Sequence, residues 1–366
     1  MSNESPLFET ELDHDAVDPD AVPISDRKVF TQPYDLGVEA LMRQIEDNVI
    51  FLRPLSNRPN FQRKYVWSDI LASRLIESIL LNVPIPPCYL SQNDDFELDV
   101  IDGQQRLFSI FRFVDNRFTL KKLEVLTPLN DKKFFELEGR QQRQLLTHTL
   151  RCVLITNESH PEIKFEVFER LNSNTAPLNA QELRNCVYRG ALNDLLQEIV
   201  VEDTWLEILG KKSPDKRMRD EELILRFFAF QLEGEKSYRT PLKSWLNTAA
   251  QNGRTLKPSK IRNLKQTWDE ALQTTLDWFE PSECFRRAPF GTFRAVNRAL
   301  FDLTMNMAAG LKPAAGAAHR RSVRSRYERL CGNDEFSDLI SRAVDHKKRT
   351  DRRFEIWRDT FSDLMG

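Results

Sequence analysis

The stretch Asp102–Arg106 reads DGQQR and stands between two apolar runs, in VIDGQQRLFSI. The run before it predicts a strand and the run after it predicts a helix. A helix that starts directly after a strand presents unpaired amide groups and the positive end of its dipole. Arg106 follows Gly103 by one helical turn, so its guanidinium lies on the same face. These features predict a pocket for an anion with the chemistry of a phosphate.

The same residues also have a local explanation. Asp102 as the N-cap and Gln105 at the third helical position have the spacing of a capping box, which contributes ~1 kcal/mol. Capping does not explain Gly103, because a glycine within a helix costs up to ~1 kcal/mol relative to alanine. Its missing side chain would let a ligand approach the backbone. The spacing alone leaves capping and phosphate binding both open.

Other polar islands interrupt apolar sequence elsewhere in the chain. Gln62 and Arg63 stand among aromatic residues in FQRKYVW. FERLNSNTAPLNAQELRN spans the end of one predicted helix and the start of the next, with the polar residues Glu169, Arg170, Asn172, Asn174, Asn179, Glu182, Arg184 and Asn185. Each island alone also suits helix ends and capping. A shared site requires that the fold bring the islands together.

Positive charge is concentrated near the C-terminus. Residues 284–366 contain 17 Lys and Arg against 10 Asp and Glu, whereas residues 1–26 contain eight acids and no Lys or Arg. A basic helix face can neutralise DNA phosphates without reading bases. Interleaved acids favour the alternative, a solvated helix face. The candidate nucleic-acid-binding residues are Arg320, Arg321, Arg324, Lys347 and Lys348.

Composition and motif spacing exclude several classes of protein. No apolar run approaches the roughly 20 residues that span a bilayer. The five cysteines contain no CxxC pair, and the five histidines form no HExxH pattern. We therefore expect reduced thiols, no metal site formed by the protein alone, and a cytoplasmic protein without a membrane segment. The acidic first 26 residues do not resemble a secretory signal.

Hydrophobic periodicity predicts an α+β protein, with a small mixed-sheet α/β domain followed by an all-helical domain. The predicted strands cover Cys88–Gln92, Glu97–Ile101 and Arg151–Thr156, and a helix follows over Gly103–Val114. Ser68 is predicted to cap the helix before the first of these strands. The expected domains are an acidic flexible arm over 1–32, the α/β domain over 33–205, a basic linker over 206–219 and a helical domain over 220–366.

Four segments resemble successive signatures of one known family. They are PNFQRKYVW, LIESILLNVPIPPCYL, VIDGQQRLFSI and FERLNSNTAPLNAQELRNCVYRG. In their order and spacing they are similar to the GmrSD-type restriction-endonuclease N-terminal domain, also called domain of unknown function 262. The resemblance covers roughly residues 35–235. It implies a fold like those of ParB and sulfiredoxin, and NTP hydrolysis coupled to the restriction of modified phage DNA.

The resemblance also implies roles for individual residues. The DGQQR turn would grip a nucleotide phosphate, with Asp102, Gln105 and Arg106 as catalytic candidates and Gly103, Gln104 and Arg106 in the nucleotide site. Gln62 and Arg63 would face that site, joined by Arg170, Asn172 and Asn174. The chain departs from full-length family members because no histidine pair with a neighbouring Asn or Asp indicates an HNH nuclease.

Two functions are compatible with these observations. The first is a nucleotide-binding, NTP-hydrolysing component of a DNA-directed restriction or phage-defence system, which acts with a partner effector or a separate nuclease. The second is a non-catalytic module that senses nucleotide or DNA and regulates an effector. The expected cofactor is an NTP of unassigned base. Mg²⁺ would arrive with it.

Overall fold

The computed structural model describes residues 7–9, 28–52, 65, 67–93, 96–159, 161–171, 179–290, 295–311 and 317–364. It divides the chain into two compact units. We call residues 25–179 the α+β unit, and residues 180–366 together with 1–24 the helical unit. The predicted α+β class with a helical C-terminal region is confirmed. Among the described residues, no helix is both long and apolar enough to cross a membrane.

The α+β unit is built on a five-stranded mixed sheet. Its strand order is β1-β7-β4-β5-β3, in which β4 pairs with β5 antiparallel and with β7 parallel. Strands β2 and β6 form a separate two-stranded pair. The strands are β1 (Thr31–Pro33), β2 (Leu36–Gly37), β3 (Ile50–Phe51), β4 (Cys88–Gln92), β5 (Leu98–Asp102), β6 (Thr149–Leu150) and β7 (Cys152–Ile155).

Amphipathic helices cover this sheet. Ser68 caps α2 as predicted, since its side chain accepts a hydrogen bond from the amide of Leu71 at 3.4 Å. Helix α3 buries the apolar face formed by Leu107, Ile110 and Phe111, in one core with the central strands. The helices of this unit are α1 (Val38–Glu46), α2 (Asp69–Leu80), α3 (Gln104–Val114), α4 (Gly139–Thr147) and α5 (Pro161–Leu171).

The helical unit packs around aromatic side chains. Trp205, Trp268 and Phe301 are almost completely buried and meet at ring-centroid distances of 5.3–6.3 Å. The helices are α6 (Ala180–Val187), α7 (Ala191–Val200), α8 (Asp203–Leu209), α9 (Arg219–Glu233), α10 (Leu242–Gly253), α11 (Pro258–Trp278), α12 (Arg298–Ala309), α13 (Arg320–Cys331), α14 (Asp334–Leu339) and α15 (Lys347–Phe361).

The division between the units differs from the predicted boundary near residue 205. It falls between Asn179 and Ala180, because α6, α7 and α8 pack with the later helices. Of the residues assigned to the flexible arm, 7–9 belong to the helical unit, with Leu7 and Phe8 buried, and β1 begins at Thr31. The arm residues 1–6 and 10–27 lie outside the described residues.

Candidate functional site

The DGQQR stretch forms the junction between β5 and α3. Asp102 is the last residue of β5 and pairs with Tyr89 of β4, so the chain turns at the next residue. Gly103 makes that turn with φ +95°, in the left-handed region that glycine adopts readily. It is the N-cap of α3 and contributes no side-chain cap. The predicted capping box on Asp102 and Gln105 is therefore wrong, because strand pairing holds Asp102 in the sheet.

The missing side chain of Gly103 faces the sheet. A β-carbon at this position would lie 2.4 Å from Sγ of Cys88 and 3.3 Å from its Cα. Such contacts are much shorter than van der Waals separations, so β4 leaves no room for a side chain here. The glycine thus permits close packing of β4 against the strand–helix junction. The predicted opening of the backbone toward a ligand is not what this glycine provides.

Arg106 and Asp102 form an ion pair across the first turn of α3. The distance from Arg106 Nη2 to Asp102 Oδ2 is 2.6 Å. The same guanidinium donates to the carbonyls of Pro86 and Pro87, the second at 3.4 Å. The Arg106 side chain is 14% exposed and that of Asp102 is 40% exposed. Arg106 therefore fastens the proline-rich loop before β4 to the start of α3 and leaves the carboxylate accessible.

The two glutamines of the motif have different environments. Gln105 Oε1 accepts a hydrogen bond from the backbone amide of Trp67 at 3.4 Å. Gln104 Nε2 is buried and has no hydrogen-bond partner among the described residues. A buried donor without a partner costs about 1–3 kcal/mol. At this junction, the side-chain amide of Gln104 thus lacks a hydrogen-bond acceptor within the described residues.

Tyr65, which precedes α2, packs against buried residues of α3. The hydroxyl of Tyr65 lies 2.9 Å from that of Ser109, and its ring packs edge-on against Phe108. The Arg112 guanidinium stacks over the Tyr65 ring, 4.7 Å from its centre. The candidates Gln62 and Arg63, which precede Tyr65 in the chain, lie outside the described residues.

Two cysteines lie behind the junction. Cys88 and Cys152 are register partners on β4 and β7, and both are buried free thiols. The hydrogen bond from Cys152 lowers the pKa of Cys88 despite burial, and the nearby charge of Arg106 acts in the same direction. The same bond and burial raise the pKa of Cys152. Free thiols at these positions agree with the prediction of reduced cysteines. The pairing of Cys88 with Cys152 across two strands was not indicated by their positions in the sequence.

The remaining polar islands belong to different units. Arg170 is exposed near the end of α5 in the α+β unit, while Asn172 and Asn174 lie outside the described residues. Glu182, Arg184 and Asn185 are buried in α6, which belongs to the helical unit. Within the described residues, only part of the predicted nucleotide site can therefore be placed, namely the DGQQR junction and Arg170.

Sequence reasoning missed the buried polar network around α6. Arg184 donates to Asn247 at 2.9 Å and to Glu222 at 2.8 Å. Asn185 donates to Glu221 at 2.6 Å. These bonds connect α6 with α9 and α10. The sequence signal that could have indicated this network is the run QELRN, four polar residues within five positions of a helix whose other residues are mostly apolar. If such a run is buried, its side chains must form hydrogen bonds with one another or with neighbouring helices.

Acidic side chains pair with many of the candidate nucleic-acid-binding residues. Arg320 lies 2.5 Å from Glu280, and Arg324 makes a two-pronged ion pair with Glu283. Lys347 lies 2.8 Å from Asp351, and Lys348 is exposed on α15. Tyr327, one turn after Arg324 in α13, is buried. Arg321 is exposed, and no ion pair or hydrogen bond of its side chain occurs within the described part of the chain.

Metal-binding side chains do not cluster in the described part of the chain. No group of three or more His, Cys, Asp or Glu residues could hold an ion there. Asp102 is a single accessible carboxylate beside a cation. Among the described residues, the junction therefore offers the Asp102 carboxylate to a metal, and water or a bound phosphate could supply further ligands.

Residues 38–189 match the family described as GmrSD restriction endonuclease, N-terminal domain. The match contains the β5–α3 junction and ends just beyond α6. No curated protein and no solved structure gives a significant match to the chain. The matched domain suggests a component of a restriction or phage-defence system and an interaction with DNA. Over residues 38–189, the chain carries a GmrSD restriction endonuclease N-terminal domain.

Proposed function

We propose that the α+β unit binds the phosphates of a nucleoside triphosphate at the start of α3, and that it does so as part of a restriction or phage-defence system. The observation that carries this proposal is the buried amide of Gln104, which has no hydrogen-bond partner among the described residues and stands at a helix N-terminus whose N-cap is a glycine. A phosphate oxygen is a strong acceptor. It would satisfy that amide and would be favoured by the helix dipole.

The residues at the junction fit a nucleotide phosphate. Gln104 supplies an amide donor, and the first turn of α3 supplies the positive end of the helix. Arg106 adds a positive charge whose position is fixed by Asp102 and by the proline-rich loop. The accessible carboxylate of Asp102 could contribute an oxygen ligand to Mg²⁺ carried by the nucleotide.

Hydrolysis is the less supported part of this function. Two of the three catalytic candidates, Asp102 and Arg106, bond to each other. Gln105 Oε1 accepts from the Trp67 backbone. These contacts favour a second candidate function, in which the domain binds nucleotide as a sensor and a separate effector carries out DNA cleavage.

Calorimetric titration of the full chain tests the binding site. ATP, GTP, CTP and UTP, each with Mg²⁺, are titrated into the wild type and into Gln104→Met, which keeps the side-chain length but removes the amide. We expect at least one nucleotide to bind, and we expect Gln104→Met to weaken it about tenfold or more, since one hydrogen bond to a charged group contributes about 1.5–3 kcal/mol. Thermal stability should be unchanged or higher, because an unsatisfied donor is removed.

Gln142→Met is the matched control. Its amide donates to the carbonyls of Phe135 and Leu137, at 3.3 and 2.9 Å. This variant should lose stability and keep nucleotide affinity. The proposal fails if the wild type binds none of the four nucleotides, or if Gln104→Met binds as tightly as the wild type. Phosphate release, measured with and without DNA, then separates the hydrolysing function from the sensing function.

A further inference from the structure

Three residues near the N-terminus, Leu7–Glu9, pack against the segment that precedes α12. Phe8 forms a parallel β-bridge with Val296, just before α12. The Glu9 amide donates to the Val296 carbonyl at 3.0 Å, and the Val296 amide donates to the Leu7 carbonyl at 3.1 Å. Main-chain pairing of this kind is how extended peptides bind to an exposed backbone edge.

Each of the three side chains has its own environment in the helical unit. Leu7 and Phe8 are 4% and 7% exposed. The Arg298 guanidinium lies 4.7 Å from the centre of the Phe8 ring, within the range of a cation–π interaction. Glu9 Oε2 accepts from Arg287 Nε at 2.8 Å and from Asn297 Nδ2 at 2.7 Å. The residues around Val296 therefore accommodate two apolar side chains followed by a carboxylate.

The helical unit itself holds the two donors that bind Glu9. The Arg287 guanidinium also donates to Ser337 Oγ at 3.1 Å, and to the Ile340 carbonyl at 3.1 Å. Asn297 Nδ2 also donates to that carbonyl, at 2.9 Å, and its Oδ1 caps α12. Because these bonds do not involve the arm, they keep the guanidinium and the amide in place when Glu9 leaves. Preorganisation of this kind reduces the cost of binding a ligand.

We propose that Arg287, Val296, Asn297 and Arg298 form a peptide-binding groove, whose ligand is an extended peptide with two apolar residues followed by a carboxylate. Leu7–Glu9 is the ligand that the chain itself supplies. Residues 10–27 connect this segment to residue 28, so the segment remains tethered to the chain when its contacts open. Tethering gives an effective concentration of the order of millimolar. A second peptide with the same pattern binds only when the arm is displaced.

A labelled peptide tests this proposal on the full-length chain. The double variant Leu7→Asp/Phe8→Asp replaces two buried apolar side chains with charged ones and should release the arm. A fluorescein-labelled peptide with the sequence of residues 1–14 is then titrated, and fluorescence anisotropy is measured. We expect saturable binding to the released variant, and binding to the wild type that is at least about tenfold weaker because the tethered arm competes.

Peptide variants test the recognition of Glu9. The peptide with Glu9→Lys should bind to the released variant about tenfold or more weakly, since it loses two charge-assisted hydrogen bonds. The peptide with Glu4→Lys has the same net charge and should retain its affinity. The proposal is overturned if the released variant, shown by circular dichroism to be folded, does not bind the peptide. It is overturned equally if both lysine peptides bind alike. Should the double variant not fold, Phe8→Ala replaces it, because that change removes the ring without adding a charge.

Discussion

Replacing Gly103 with alanine should destabilise the β5–α3 junction strongly. An alanine β-carbon would lie 2.4 Å from Cys88 Sγ and would require a residue other than glycine at φ +95°. The left-handed backbone costs about 1–2 kcal/mol for such a residue. Overpacking against β4 costs about 1–3 kcal/mol more. The expected loss, about 2–5 kcal/mol, is a large part of the ~5–15 kcal/mol that stabilises a domain.

A double-mutant cycle with Cys88→Ala separates the two contributions. Removing Sγ relieves the closest contact and leaves the backbone strain. Gly103→Ala should therefore cost about 1–3 kcal/mol less in the Cys88→Ala background. Hydrogen exchange of the peptides that cover β4 and α3, read by mass spectrometry, gives the local free energy of opening in each variant.

Gly139→Ala is the matched control for this cycle. A β-carbon there would meet only the flexible end of the Arg143 side chain, at 3.3 Å. This change should leave protection unchanged, or increase it by up to ~1 kcal/mol, because alanine favours the helix. The reasoning is refuted if Gly103→Ala protects α3 as well as the wild type does, or if its cost is the same with and without the Cys88 thiol.

Three further predictions concern charged side chains. Burial raises the pKa of Glu221 to about 8 from an ordinary 4.5, so its contribution to stability is present below pH 4.5 and is lost as the pH rises towards 8. Glu221→Gln should therefore raise the melting temperature near pH 8 and flatten its pH dependence. The adjacent Glu222→Gln should lower that temperature, because its arginine ion pair outweighs burial and lowers the pKa of Glu222. Arg106→Ala should reduce the hydrogen-exchange protection of α3, because the Asp102 carboxylate and the carbonyls of Pro86 and Pro87 lose their donor. If protection is intact, Arg106 does not hold the junction together and is free for a ligand. Arg321→Glu should weaken any DNA affinity without loss of stability, and it should reduce the slope of log affinity against log salt concentration by ~0.9 for each lost phosphate contact. If that slope is unchanged, Arg321 lies on a solvated face. Arg324→Glu should instead lower the melting temperature, because it breaks the ion pair with Glu283.

Local sequence patterns were sufficient to place the main elements of the α+β unit. Strand β4 was predicted at its observed bounds, and β5 and α3 within one residue, because apolar periodicity and the punctuating glycine are local signals. The Ser68 cap was predicted for the same reason. The resemblance of the DGQQR and neighbouring motifs agrees with the family match over residues 38–189.

The assignment of the polar residues depended on tertiary structure. The spacing of Asp102 and Gln105 fits a capping box, yet pairing between β5 and β4 moves the helix start to Gly103. The QELRN run begins a helix as predicted, but contacts with α9, which the sequence did not indicate, bury it in the helical unit.

The sequence by itself determined the central strands of the α+β unit and helix α3, and it indicated the similarity to the domain family, because both depend on residues that are close together in the chain. Only the tertiary structure decided which side chains already have bonding partners within the protein. Arg106 is held by Asp102 and the loop carbonyls, Arg324 by Glu283, and Leu7–Glu9 by residues around Val296. A charged or apolar side chain pairs with whatever the fold brings near it. Partners more than a hundred residues apart, such as Glu9 and Arg287, leave no local pattern that could predict them.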